Sequence, residues 1–174
     1  MSESTEIKTA VDEREDQAQK LVLRLLLAGG VLILLFCAAM LIDFNRIITV
    51  NRITLAGDSP VVWALDDPKF GAHHVTITGW ALVPLEPLLE FDTAVLLQDI
   101  TGGRILQLPT TTVERKELND LYTDGIDYSP HGFLAKASTG RLHLDTTRYR
   151  LILKYFNNEH QFYIDTGQVI GGGE

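Results

Sequence analysis

Cysteine is almost absent from this chain, and its single position limits what cysteine can do. Cys37 is the only one among 174 residues, and it lies inside an apolar stretch. No intrachain disulfide can therefore form. The sequence also lacks the G-x-S-x-G, Walker, paired-cysteine and H-E-x-x-H motifs. No residue pattern in the chain identifies a particular chemical reaction.

Basic residues are scarce as well. The chain carries 15 Lys and Arg against 23 Asp and Glu, a formal net charge of −8. The first 20 residues hold three basic and six acidic side chains. A protein that binds nucleic acid needs a basic surface, so nucleic acid is not an expected partner.

A long apolar run near the N-terminus is the most informative feature that is present. Residues 21–42 are apolar except for Arg24, which lies close enough to one end to reach the lipid headgroups. As a helix the run measures roughly 33 Å, and a bilayer core is roughly 30 Å thick. A cleaved signal peptide has a shorter apolar core, and the bulky Phe36 before Cys37 is atypical of lipoprotein processing. We predict a retained transmembrane helix.

Four segments follow from this assignment. Residues 1–20 form an acidic cytoplasmic tail that continues the helix as a stem, 21–42 cross the bilayer, 43–170 form an extracytoplasmic domain, and 171–174 are a flexible C-terminus. Arg14, Lys20 and Arg24 lie on the N-terminal side of the apolar run, Arg24 just inside it, and Arg46 and Arg52 lie on the other side. This small excess, with the short tail, favours an N-terminus in the cytoplasm.

Alternating apolar and polar residues recur through the second part of the chain. Along 148–155, Tyr and Leu side chains fall on one face and Arg150 and Lys154 on the other. Asn157-Asn158 predicts the turn into the next strand. Gly102-Gly103 predicts another hairpin. Such patterns predict strands within 74–78, 93–98, 104–108, 148–155 and 161–165.

One helical insert is expected at 112–122, ended by Gly125. About seven strands in roughly 120 residues are the dimensions of one β-sandwich. The predicted fold class is mainly β: an N-terminal transmembrane α-helix followed by an immunoglobulin-like β-sandwich with one short helix.

Four short sequence blocks are scattered between residues 73 and 156. They are Ile77-Thr78-Gly79-Trp80-Ala81, Thr112-Val113-Glu114-Arg115-Lys116-Glu117-Leu118, Gly132-Phe133 and Tyr149-Arg150-Leu151-Ile152-Leu153. These blocks resemble small extracytoplasmic β-sandwich domains of bacterial cell-envelope and surface-polysaccharide proteins. The resemblance implies a place on the outer face of a bacterial cytoplasmic membrane, near glycan assembly, and it supplies no catalytic residues.

Four residues are candidates for contacts with partners. Gly29 and Gly30 within the apolar run would let a neighbouring helix approach closely, although an ordinary lipid-facing span explains them equally well. Trp80 and Trp63 are candidates for glycan or partner contact. Both also fit a structural role in a core, and Trp63 fits one at the membrane interface.

The weak candidates for a cation site or an acid-base pair are Asp124, Asp127 and His131, in a loop rich in turn-forming residues. A solvated loop explains the same residues. His73 and His74 would point to opposite faces of a strand, which disfavours a shared metal ion. No metal and no cofactor are predicted.

We therefore expect a non-catalytic, membrane-anchored accessory subunit of a larger bacterial membrane complex. Its expected partners are the lipid bilayer, one or more integral membrane proteins and, in a second interpretation, an envelope glycan. The alternatives are an envelope carbohydrate-binding module and, less favoured, a small hydrolase that uses the loop from Asp124 to His131.

Overall fold

The computed structural model describes residues 3–44, 46–86, 91–157 and 160–173. The chain divides into two units, one ending at Phe44 and one beginning at Asn45. The first is the single helix α1, Glu3–Phe44. The second is a β-rich domain, so the chain is mainly β with one N-terminal apolar helix.

Within α1, the 24 residues Lys20–Asp43 are long and apolar enough to cross a membrane. The described residues bury none of that window, and its leucines are more than half exposed, up to 71% at Leu34. A signal sequence near an N-terminus passes the same test of length and composition.

Ten strands form the described part of the second unit, with two short α-helices and one 3₁₀ helix between them. The helices are α2 Glu117–Leu121, the 3₁₀ helix Ser129–His131 and α3 Thr139–Leu142. The strands are β1 Ile48–Val50, β2 Val62–Leu65, β3 Lys69–Phe70, β4 His74–Leu82, β5 Phe91–Asp99, β6 Ile105–Gln107, β7 Thr110–Val113, β8 Gly132–Ser138, β9 Arg148–Asn157 and β10 His160–Gly171.

The strands pair into two antiparallel sheets. The first sheet has the order β1-β6-β5-β9-β10. The second has the order β2-β4-β8-β7, and β3 also pairs with β4. Hairpins join β5 to β6 and β9 to β10, as the two turn predictions require, although Asn158 itself lies outside the described residues.

One main hydrophobic core receives side chains from both sheets. Alternation along β9 places Tyr149, Leu151, Leu153 and Tyr155 in that core, as predicted, while Arg150 is exposed. Ile152 is buried on the other face of the sheet, in a smaller cluster with Ala94, Leu96 and Ile105. A third cluster covers part of the second sheet and contains Leu82, Leu118 and Tyr128.

The predicted helix over 112–122 is wrong in its first half, and the domain has more short helices than the single one expected. Thr112 and Val113 belong to β7, where they pair with Phe133 and Gly132. The run Thr110–Val113 is entirely β-branched, and such residues favour strands. Only Glu117–Leu121 is helical in this segment, ending well before Gly125.

Candidate functional site

The loop that joins α2 to β8 is organised by Asn119 and Asp127. The Asn119 Nδ2 group donates to Asp127 Oδ1 at 2.8 Å, and Asn119 Oδ1 accepts from the Tyr128 backbone N–H at 2.7 Å. The Ser129 N–H also donates to Asp127 Oδ1, at 2.9 Å. Hydrogen bonds from Asn119 and Ser129 lower the pKa of Asp127 to about 2.

The hydroxyl group of Tyr128 links this loop to the turn after β4. It donates to Asp124 Oδ2 at 2.8 Å and accepts from the Leu85 backbone N–H at 2.8 Å. The hydrogen bond from Tyr128 lowers the pKa of Asp124, and burial followed by the contact with Asp124 raises the pKa of Tyr128. Asp124 therefore positions the Tyr128 hydroxyl group, and this hydroxyl group fixes the backbone of Leu85.

Leu85 combines an unusual backbone conformation with an exposed apolar side chain. Its φ is 65°, in the left-handed region that favours glycine, and its side chain is 74% exposed. Residues at such strained positions persist when their surroundings hold them there, and they are frequent at functional sites. Sequence reasoning missed this residue, although Pro84 before it indicates a turn of the type that places φ > 0 at the next position.

His131 is fully buried, so it does not reach the surface beside the two carboxylates. Its Nδ1 atom lies 3.1 Å from the Tyr128 carbonyl oxygen, and its ring centroid is 4.9 Å from that of Phe91. Burial lowers the pKa of His131. Nowhere in the described chain do three or more His, Cys, Asp or Glu residues form a group that could hold a metal ion.

Several buried polar side-chain atoms have no hydrogen-bond partner in the described part of the chain. They include His131 Nε2, Thr93 Oγ1 and both polar side-chain atoms of Asn157. Phe91 pairs with Asn157 across the first sheet, and Thr93 pairs with Tyr155. Burial raises the pKa of Tyr155 to about 12. A buried polar group without a hydrogen-bond partner costs stability.

Trp80 lies on the face of β4 that points away from the main core. It is half-buried and packs against the third cluster, beside Leu118 and Tyr128. Its neighbour Gly79 faces the core, where a Cβ atom would run into the Ala64 carbonyl oxygen and come within 2.8 Å of Phe133 Cζ. The indole is therefore covered in part by α2 and the loop after it.

Trp63 is a half-buried residue of β2 and pairs with Ala81 of β4. It packs against the main core between the sheets. The two tryptophans thus belong to different clusters and do not form one surface.

Arg115 fastens the segment before α2 to the loop after β2. Its guanidinium group forms an ion pair with Asp66 and a second one, at 3.1 Å, with Glu117. The Thr78 hydroxyl group also donates to Asp66, at 2.7 Å, and this bond is the largest cause of the lowered pKa of Asp66. No sequence motif marks this contact, because Asp66 and Arg115 are far apart in the chain.

Gly29 and Gly30 lie within the apolar part of α1. A Cβ atom added at either position would meet nothing within 4 Å. The helix surface is therefore open at both residues, with room for a neighbouring helix to approach.

His73 and His74 do not lie on opposite faces of one strand, contrary to expectation. Strand β4 begins at His74, so strand alternation does not apply to His73. Both residues line one surface cavity of about 420 Å³, together with Ile47, Lys136, Ser138 and Arg141. His73 and His74 contribute imidazole groups to this cavity, Lys136 contributes an ammonium group, and Arg141 contributes a guanidinium group.

No family model, curated protein or solved structure matches the chain. The resemblance to cell-envelope β-sandwich domains therefore stays a prediction from short sequence blocks. Function is inferred from the apolar helix and from the surface features of the β domain.

Proposed function

We propose that this chain is a single-pass protein of the bacterial cytoplasmic membrane and a non-catalytic accessory subunit of a larger complex in cell-envelope or polysaccharide assembly. Helix α1 anchors it, and the β domain lies on the outer side against the exposed part of an integral membrane partner. The observation that carries the proposal is an apolar window, Lys20–Asp43, whose side chains are left exposed by the described residues.

Burial explains why that observation points to a membrane. The large apolar side chains of the window stay more than half exposed, whereas the second unit has a complete core of its own. Exposed apolar surface of this size in water costs about 25 cal/mol per Å², so it needs lipid or protein cover. The length of the window favours a retained anchor over a signal sequence.

We infer that the β domain is an immunoglobulin-like sandwich. Its strand orders β2-β4-β8-β7 and β6-β5-β9-β10 correspond to the A-B-E-D and C′-C-F-G sheets of that architecture. Tyr149, the second residue of β9, donates its buried hydroxyl group to the Leu142 carbonyl oxygen at 2.8 Å. This bond matches the tyrosine corner at the start of strand F.

The partner surface of the β domain is centred on Leu85 and Leu121. Their side chains are 74% and 67% exposed. Leu85 is held by Tyr128, and Tyr128 packs with Leu118 of the same helix as Leu121. Exposed apolar side chains on a rigidly held backbone are suited to anchor a protein contact.

A protein partner is favoured over a glycan because Trp80 has a packing role. The Trp80 side chain is partly buried against the third cluster, which leaves less of the indole ring for stacking on a sugar. A hydrolase is disfavoured for a similar reason. Asp124 and Asp127 are engaged in hydrogen bonds within the loop, and His131 is buried.

The test is purification of the tagged full chain from bacterial membranes in mild detergent. We expect a stoichiometric integral membrane protein to come with it. Gly29→Leu with Gly30→Leu should abolish recovery by blocking close helix approach. Ala38→Leu with Ala39→Leu is the matched control, since nine residues place these side chains on the opposite side of the helix.

A second pair of variants tests the β domain. Leu85→Asp should weaken the binding free energy of the partner by more than about 1 kcal/mol, which is typical for the loss of an interface anchor. Less partner should then be recovered with the chain. Ile100→Asp changes another exposed apolar residue, 48% exposed, and should have little effect. A chain that remains a clean monomer after crosslinking in membranes would contradict the accessory role.

A further inference from the structure

We propose that the cavity lined by His73, His74, Lys136 and Arg141 binds the phosphate group of an anionic membrane lipid. This inference rests on the proposed anchoring by α1. It assigns the β domain a lipid contact in addition to its protein partner.

The charge of the cavity is the first reason. Four of its side chains carry N–H donors, Ser138 adds a hydroxyl group, and no described Asp or Glu lines it. Neither Lys136 nor Arg141 forms an ion pair with a described residue. By contrast, Arg115, Arg150 and Lys154 each pair with a carboxylate. Unpaired cations that converge in an acidic protein favour an anionic ligand.

The geometry of the second sheet brings these donors together. His74 of β4 lies directly opposite Ser138 of β8. Lys136 lies two residues before Ser138, on the same face, so it is a diagonal neighbour of His74 at roughly 7–8 Å. Arg141 comes from α3, and the Thr139 N–H at the start of α3 donates to the His73 carbonyl oxygen at 3.1 Å.

The backbone around Gly71 fixes one of the donors. The Gly71 N–H donates to the His74 carbonyl oxygen at 2.8 Å. A Cβ atom at Gly71 would lie 3.1 Å from Cε1 of the His74 ring, so the ring packs closely over this glycine. The cavity volume of about 420 Å³ lies within the range of small-ligand sites, roughly 300–1,000 Å³.

Chain connectivity supplies the reason for a lipid. Ile47 lines the cavity and lies only three positions after Phe44, the last residue of α1. Three residues span at most about 11 Å. The headgroup layer on each side of a bilayer is roughly 5–8 Å thick. If α1 spans the membrane, the cavity opens within reach of the headgroup phosphates.

The test uses native mass spectrometry of the full chain released from detergent micelles. Phosphatidylglycerol, phosphatidylcholine or inorganic phosphate is added as the probe. We expect selective retention of phosphatidylglycerol, because the choline ammonium group would bring a cation into a cationic cavity. Lys136→Gln with Arg141→Gln should weaken retention about tenfold for each cation removed.

Arg104→Gln with Lys116→Gln is the matched control, with the same change in net charge at exposed positions elsewhere on the domain. It should retain phosphatidylglycerol as the wild type does. Gly71→Ala keeps every charge but displaces the His74 ring, and we expect intermediate retention. Thermal melting of each variant in the same micelles verifies that it is folded.

Three results would overturn the proposal. Equal weakening in both double variants would show that net charge alone attracts the lipid. Inorganic phosphate bound as tightly as phosphatidylglycerol would show a site for free anions. Unchanged retention in the folded Lys136→Gln, Arg141→Gln variant would place the lipid elsewhere. Alkaline extraction of membranes reports anchoring separately, so failure of the anchor and failure of the cavity are distinguishable.

Discussion

Leu85 has a backbone conformation that is unfavourable for a leucine, at a position that we propose contacts the partner. A leucine in the left-handed region costs about 1–2 kcal/mol. We expect Leu85→Gly to raise the free energy of unfolding by about 1 kcal/mol, because little packing is lost at a side chain that is 74% exposed. The same variant should weaken partner recovery.

The matched control is Leu121→Gly, which changes another exposed leucine in a helical backbone. It should lower stability by about 1 kcal/mol, since glycine is unfavourable in a helix. Urea unfolding measures the change in the free energy of unfolding for both variants. If Leu85→Gly also loses stability, the strain assigned to Leu85 is absent.

The low pKa of Asp127 leads us to expect that the free energy of unfolding falls at acid pH. Its pKa falls from 3.8 to about 2 in the folded chain. The ionised carboxylate therefore stabilises the folded state. This contribution is complete above about pH 4 and is lost as the pH falls through about 2. Asp127→Asn should flatten the loss of stability over that window. Urea unfolding of the wild type and of Asp127→Asn at several acid pH values measures the difference, and identical profiles would contradict the stabilisation assigned to the Asp127 carboxylate.

At the scale of elements, Gly79 permits β2 and β4 to pair while Phe133 packs beneath them. Gly79→Ala would place Cβ against the Ala64 carbonyl oxygen and within 2.8 Å of Phe133 Cζ. Overpacking of this kind costs about 1–3 kcal/mol. Gly57→Ala meets nothing within 4 Å and should change stability by less than about 0.5 kcal/mol. Equal melting temperatures would contradict this packing.

Strands with clear alternation could be predicted from the sequence, and elements defined by distant partners could not. The faces of β9 followed from the spacing of Tyr149 and Leu151. The four residues of strand β2 do not alternate in this way. Their place in the sheet depends on pairing with β4. The helix predicted over 112–122 was wrong in its first half, because the charged residues that favour a helix follow a β-branched run that pairs with β8 as a strand.

The candidate site was predicted only in part. Asp124 and Asp127 were identified by residue type, but their hydrogen bonds go to Tyr128 and Asn119 and not to a common ligand. The role of Leu85 depends on a contact with Tyr128 across 43 residues of sequence. Local sequence carries no record of such a contact.

In the whole molecule, the two units differ in how their apolar side chains are covered. Helix α1 carries exposed apolar side chains, and the β domain buries its own core. We propose that lipid and a partner helix cover α1. The central claim is that α1 crosses the membrane once and holds this domain on the outer side.

Labelling with a membrane-impermeant maleimide tests that claim most directly. In a Cys37→Ser background, Thr101→Cys places one thiol in the exposed β5–β6 loop, and Ser4→Cys places one near the N-terminus. The account predicts that intact bacterial cells label Thr101→Cys, and that Ser4→Cys is labelled only after permeabilisation. Labelling of Ser4→Cys but not Thr101→Cys in intact cells, or of neither, would contradict it.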